Sequence, residues 1–368
     1  MLVKKVLKTS LLSLAAVIAT SAFAYDVTKM SWTEIQTQAK KEGKVNFAVW
    51  YLQPGWREFV KEFESEYGIK VRIPEGTLDG NRNKLIAESK QKQGKMDLVA
   101  IGAANVQLLN LEKTLMPLNK LPDYAQLKTV SEGFDSKGYA VTFWGNQSGI
   151  AYDPSRIDEA ELPQTFEQLS HYINSHPKEF GVNDPNGGGS GGRFIEAALR
   201  NFSIKFEGET LDQDSPQWKN TWNWFNQYKD EITITGSNAD SITRINDGEL
   251  VLAPAWEDHL AGLQKRGAIT DRLKFYIPVF GMSGGANFVT IAKNAKNPAA
   301  ALVFLDWLTS ADTQTKLNAK FGVAPQHPDA DDSAALVSQN MRQYSTTPLN
   351  VFYEKEIKKQ FVQKVLMY

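Results

Sequence analysis

No cysteine occurs anywhere in the 368 residues. Disulfides, thiolate nucleophiles and cysteine-built zinc or iron–sulfur sites are therefore excluded. Histidine is almost as scarce, at four, which leaves little from which to assemble a histidine metal centre. Neither sign of charge is in excess: 41 Lys and Arg face 42 Asp and Glu, for a net charge of −1. Such a chain has no bulk basic field to gather nucleic acid, and no nucleic-acid partner is expected. Apolar runs of the ~20 residues needed to span a bilayer are missing too. The signatures H-E-x-x-H, G-x-x-x-x-G-K-[ST] and S-x-x-K with K-T-G do not occur. On these grounds no cofactor, no metal and no catalytic residues are expected.

What is present suits a folded protein behind a leader. Hydrophobic residues at 42% and charged residues at 23% are enough for packed cores, and the length suits two domains or lobes. Lys4, Lys5 and Lys8 precede an apolar run from Leu11 to Ala19, and Ala22-Phe23-Ala24 has the small-x-small spelling of a cleavage site. Residues 1–24 are accordingly expected to be a secretory signal peptide cut after Ala24, which places the mature protein in a periplasm. With no cysteine at that junction, a lipid tether is excluded.

Helical and strand patterns alternate after the leader. Ser31 with Glu34 spells a capping box ahead of Trp32, Ile35 and Ala39, and Gly43 stops that helix. Residues 45–50 then predict a strand. Trp56, Phe59, Val60 and Phe63 predict a helix ended by Gly68, residues 69–73 a strand, 83–93 a polar helix, and 97–101 a strand apolar on both faces. A second unit begins near Thr142, with strands at 148–153 and 250–253 and a helix capped by Thr165. Trp218, Trp222 and Phe225 share one helix face and are expected in the core. This order predicts an α/β protein.

Several segments match a known pattern. Tyr152-Asp153-Pro154 followed by Pro163-x-Thr165-Phe166-x-x-Leu169, then Gly284-Gly285-Ala286-Asn287-Phe288-Val289-Thr290, then Asn297-Pro298-Ala299-Ala300-Ala301 running to Phe304-Leu305-Asp306-Trp307-Leu308-Thr309-Ser310, resembles bacterial extracellular (periplasmic) solute-binding proteins of ABC transporters. Asp153 and Phe166 stand where that family more often has Asn and Trp. The resemblance implies a two-lobed periplasmic-binding-protein fold of type II, each lobe a mostly parallel sheet flanked by helices and joined by a hinge. Expected lobes are 25–142 with 283–322, and 143–282 with 323–368. It also implies a monomer that captures a small solute and hands it to membrane permease subunits. A periplasmic hydrolase or a sensor-receptor domain on the same fold is the rival reading.

Ligands of open α/β sheets sit beyond the carboxyl ends of strands. Trp50, Tyr51 and Gln53 fall at such an end, Trp144 and Asn146 at the expected crossing, and Trp256 and Glu257 at the end of the strand that starts near Leu250. With Thr77, these are candidate ligand contacts. The run Asp184-Pro185-Asn186-Gly187-Gly188-Gly189-Ser190-Gly191-Gly192-Arg193 opens a helix. Gly189, Ser190, Gly191 and Arg193 are candidates for gripping an anionic group, as on a sugar phosphate. Gly187, Gly189 and Gly192 also spell G-x-G-x-x-G, but no long apolar strand precedes them, so a dinucleotide site is not expected.

Overall fold

The computed structural model describes residues 25–202, 216–338, 340–349 and 351–367; the expected leader and its cleavage site lie outside them. Ser31 caps the helix Trp32–Glu42 with Glu34 completing the capping box, and Gly43 ends it in the left-handed region at φ 65°. That turn feeds β1 (Lys44–Ala48), which pairs in parallel with β2 (Lys70–Arg72) and β3 (Leu98–Ile101). The expected helix before Gly68 is two, Gln53–Phe59 and Lys61–Tyr67, broken at Val60. The helix expected at 83–93 starts earlier, over Leu78–Glu88, because the Thr77 hydroxyl caps it through the Gly80 amide.

A hairpin of β4 (Val130–Ser131) and β5 (Phe134–Asp135) precedes β6 (Val141–Tyr152). At 12 residues β6 is the longest strand among the described residues, and its two halves take different neighbours within one eight-stranded sheet. In the second half of the chain, β7 (Gly181–Asn183) pairs in parallel with β8 (Thr233–Thr235). The far half of β6 pairs antiparallel with β9 (Leu252–Trp256) and β10 (Lys274–Tyr276). Its near half pairs antiparallel with β11 (Met282–Ile291), which also lies against β3. β12 (Ser345–Thr346) adds in parallel to the start of β11. The sheets are therefore mixed rather than mostly parallel. Parallel pairing holds where helices connect the strands, whereas a strand that crosses from one core to the other and one that returns must run in opposite senses.

Two large apolar cores flank the crossing strands, and a third, smaller cluster includes Leu85, Val99, Ile101, Val106 and Phe288. Of the large cores, one gathers Val45, Phe47, Trp56, Phe63, Phe143, Phe304 and Leu305. The other gathers Ile150, Phe180, Phe194, Trp218, Trp222, Phe225 and Leu252, and is joined by Tyr353, Ile357 and Phe361 from the C-terminal helix Val351–Phe361. We call the surrounding elements the first and second lobes. Asn297 and Pro298 open the helix Pro298–Thr309, and the Glu42 carboxylate accepts from its Ala299 and Ala300 amides. Burial pushes the Glu42 carboxyl up to about 7.

Candidate functional site

Between the two cores lies a cavity of about 280 Å³. Trp50 and Tyr51 reach it from the end of β1, Leu78 from a helix start, and Asn105 from the turn after β3. The crossing strands contribute Trp144, Asn146 and Asn287, and the second lobe Gly189, Arg193, Trp256, Asp258 and His259. A β-bulge between Asn287 and Phe288 interrupts the β6–β11 register where Asn287 turns into the cavity. Tryptophan and tyrosine at strand ends supply flat apolar walls.

One part of the cavity holds an incompletely partnered carboxylate. Trp256 ends β9 and the helix Glu257–Lys265 begins at once, so Asp258 falls in its first turn. Asp258 is only 4% exposed. The Trp144 indole N–H donates to its Oδ2 at 3.1 Å, while Oδ1 meets no protein donor among the described residues. Beside it, the rings of Tyr51 and His259 stack across the lobes at 4.8 Å and 5°. Burial pushes the His259 pKa down, against the pull of Asp258, so the imidazole stays uncharged at neutral pH. Burial and then Asp258 push the Tyr51 phenol up. Among the described residues that line the cavity, Asp258 Oδ1 is the buried side-chain oxygen left without a partner.

The other part is charged but internally matched. Arg193 donates to Glu196 at 3.0 Å on its own helix, and its guanidinium lies 3.6 Å from Glu132 of the β4–β5 hairpin. It also sits over the Trp256 ring, 5.8 Å from the centroid. Glu196 takes Arg200 at 3.1 Å as well, and Glu354 pairs with Lys358 at 2.9 Å. Burial pushes the Glu132 carboxyl up despite Arg193, and Glu132 occupies the hairpin turn at φ 52°. The guanidinium expected to grip an anion is thus already enclosed by carboxylates. Those partners come from a distant hairpin and from the next helical turn, which spacing around the glycine run does not reveal.

Five expected contacts do not line the cavity. Gln53 is buried, donating to the Val49 and Gly76 carbonyls. Thr77 serves as the helix cap already described. Glu257 is fully buried and bonded to Arg342 at 2.8 Å, facing away from Asp258. Ser190 is fully buried, with its hydroxyl 2.7 Å from Asn183 Oδ1 and 2.8 Å from Asn238 Oδ1. Gly191 is dictated by packing, since a Cβ there would fall 1.9 Å from the Asn183 carbonyl oxygen. Residues 188–192 also spell G-x-S-x-G, but none of Ser190's partners is a histidine and its amide is capped by Asn238. Gly187 and Gly191 answer close backbone contacts, whereas Gly189 and Gly192 line the cavity. Among the described residues no cluster of histidine and carboxylate groups is arranged to hold a metal.

Asn105, Glu132, Asn287, Glu354 and Lys358 line the cavity without having been expected there. Asp258 and His259 carried a sequence signal, as polar residues directly after a strand-end tryptophan. Lys358 and Glu354 carried none, being an ordinary i, i+4 pair on a helix far from the other contacts.

Comparison with known proteins gives consistent matches. The sequence profile described as bacterial extracellular solute-binding protein matches residues 58–342. A probable ABC transporter periplasmic-binding protein of Sinorhizobium fredii is 23% identical over 273 residues, spanning 73% of this chain and 70% of that one. The spermidine/putrescine ABC transporter substrate-binding protein PotD of Streptococcus pneumoniae superposes with a TM-score of 0.68 at 13% identity, covering 88% of this chain and 98% of that one. The periplasmic binding protein AfuA of Actinobacillus pleuropneumoniae, with fructose-6-phosphate bound, gives 0.62 at 16% identity, covering 89% and 100%.

Proposed function

The chain belongs to the bacterial extracellular solute-binding proteins, and from that premise we propose that it is the substrate-binding component of an ABC importer whose solute carries an ammonium group. The observation that carries the ligand class is Asp258: a buried carboxylate lining the cavity, with one oxygen held by Trp144 and the other left by the protein without a donor. Every other charged group on the cavity wall has a counter-ion from the protein. A primary ammonium would supply the missing donor at Oδ1, and Trp50, Tyr51 and Trp256 would flank it with ring faces. The uncharged His259 does not compete for the same carboxylate.

A sugar-phosphate-like solute, the alternative suggested by the glycine run, fits less well. Its phosphate needs a free cation, and both Arg193 and Lys358 are engaged by carboxylates. The fructose-6-phosphate held by AfuA therefore does not carry over on fold alone.

Capture follows from the two-lobed build. Tyr51 and Asn105 stand on the first lobe, Asp258 and Trp256 on the second, and β6 and β11 run between them. Lobes bounded as 25–142 with 283–322 and 143–282 with 323–368 would close on a solute that touches both. Binding then favours the closed form, and the permease can tell loaded from empty protein by shape. Export by the 1–24 leader would deliver the chain, as a monomer, to the periplasm.

A thermal-shift and calorimetric screen over alkylamines, amino acids, sugars and sugar phosphates tests the ligand class. At 100 times its Kd a binder adds about 2.7 kcal/mol of stability. Amines should bind while neutral alcohols of the same shape do not; binding of sugar phosphates alone would overturn the reading. Small-angle scattering with saturating ligand should show compaction if the lobes close.

A further inference from the structure

The cavity wall contributed by the C-terminal helix comes after residue 342, where the shared family pattern ends. The chain reaches it along a strap anchored at three points. Arg342 bonds Glu257 at 2.8 Å, the Ser345 hydroxyl donates to Gln147 Oε1 at 2.7 Å, and the Leu349 amide donates to Glu196 Oε1 at 2.8 Å. Tyr353, Ile357 and Phe361 then lock the helix into the second core. Its position is therefore set by packing, and the side chains it turns to the cavity, Glu354 and Lys358, are one helical turn apart.

We infer that Lys358, by occupying Glu354, restricts the cavity to solutes with a single cationic group. The inference rests on the ammonium reading above. Glu354 and Lys358 are 2.9 Å apart. The Glu354 side chain is 42% exposed, and against partial desolvation Lys358 and then Arg193 hold its carboxyl below the ordinary range. A second ammonium on the solute would have to displace Lys358 and would meet Arg193 nearby, so it is repelled rather than bound. Without the lysine charge, Glu354 becomes a second carboxylate open to a ligand in the same cavity as Asp258. The number of cationic groups accepted is then set by a residue that lies outside the family pattern.

The test uses the full mature chain and a matched series of probes, the diamines from 1,3-diaminopropane to 1,6-diaminohexane, each beside the monoamine of equal carbon number. Calorimetry gives the diamine-to-monoamine affinity ratio for each length. The wild type should hold monoamines at least as tightly as diamines. Lys358→Met should raise the ratio about tenfold or more for at least one length, the size of one charge-assisted hydrogen bond. Adding Glu354→Gln should abolish that gain. Lys358 is 34% exposed, so its replacement should fold, and circular dichroism verifies this. A wild type that already prefers diamines, or a variant that keeps monoamine binding without gaining diamines, overturns the inference and leaves the ammonium reading standing. No amine binding by either protein overturns both.

Discussion

Two parts of one cavity handle charge in opposite ways. Around Arg193, cation and carboxylates satisfy one another: Glu196 at 3.0 Å, Glu132 at 3.6 Å and the neighbouring Glu354–Lys358 pair at 2.9 Å. Around Asp258, aromatic rings exclude water on several sides and a single indole donor reaches the carboxylate. The charged cluster is internally paired, whereas Asp258 keeps a buried oxygen to which the described residues bring no donor. On the function proposed above, incomplete pairing rather than abundance of charge marks the place of the solute.

The sharpest way to break this contrast is Arg193→Ala. Losing the guanidinium leaves Glu132 without its cation in a largely buried position and Glu196 with Arg200 alone, and removal of one partner of such a pair typically costs about 3–5 kcal/mol. Urea denaturation should show a stability loss of at least about 2 kcal/mol, discounting for partial exposure. A variant as stable as wild type would show that Arg193 is not structural. Asp258→Asn should do the reverse. Affinity for an alkylammonium should fall about 10- to 100-fold, as expected for a charge-assisted hydrogen bond of ~1.5–3 kcal/mol, with little change in the denaturation midpoint.

Trp144→Phe should have an intermediate effect on the same carboxylate. The ring volume is largely kept while the 3.1 Å indole bond to Oδ2 is lost, so an affinity change of about 1 kcal/mol is expected from calorimetry. A pH series gives the smallest effect. The His259 pKa is lowered by burial, whereas the unfolded imidazole titrates near 6.5, so the unfolded chain binds the extra proton. Stability should therefore fall as pH drops below about 6.5, and His259→Gln should flatten that limb. An unchanged slope in the variant would place the effect on other groups.

Local structure was legible along much of the chain. Ser31 with Glu34 and Thr165 with Gln168 form capping boxes as their spacing demands, and Gly43 and Gly68 stop helices with positive φ. Trp218, Trp222 and Phe225 are buried in one core, as their period implies. Trp50, Tyr51, Trp144 and Trp256 do reach one cavity, because each ends or lies on a strand that points there. Within the glycine run, Gly187 and Gly191 answer to the Gly236 and Asn183 carbonyls, while Gly189 and Arg193 reach the cavity.

Helix caps, strand ends and buried helix faces are decided within about four residues of chain, and there the sequence by itself was enough at Ser31, Gly43, Thr165 and Gly68, though not at Thr77. Charge pairing is decided over far longer distances. Glu257 and Asp258 are consecutive, and in a helix consecutive side chains diverge by about 100°. Glu257 therefore meets Arg342, 85 positions away, while Asp258 meets Trp144, 114 positions away. Each acid keeps one buried oxygen without a partner, but only Asp258 lines the cavity, and that placement depends on partners that only the tertiary structure brings together.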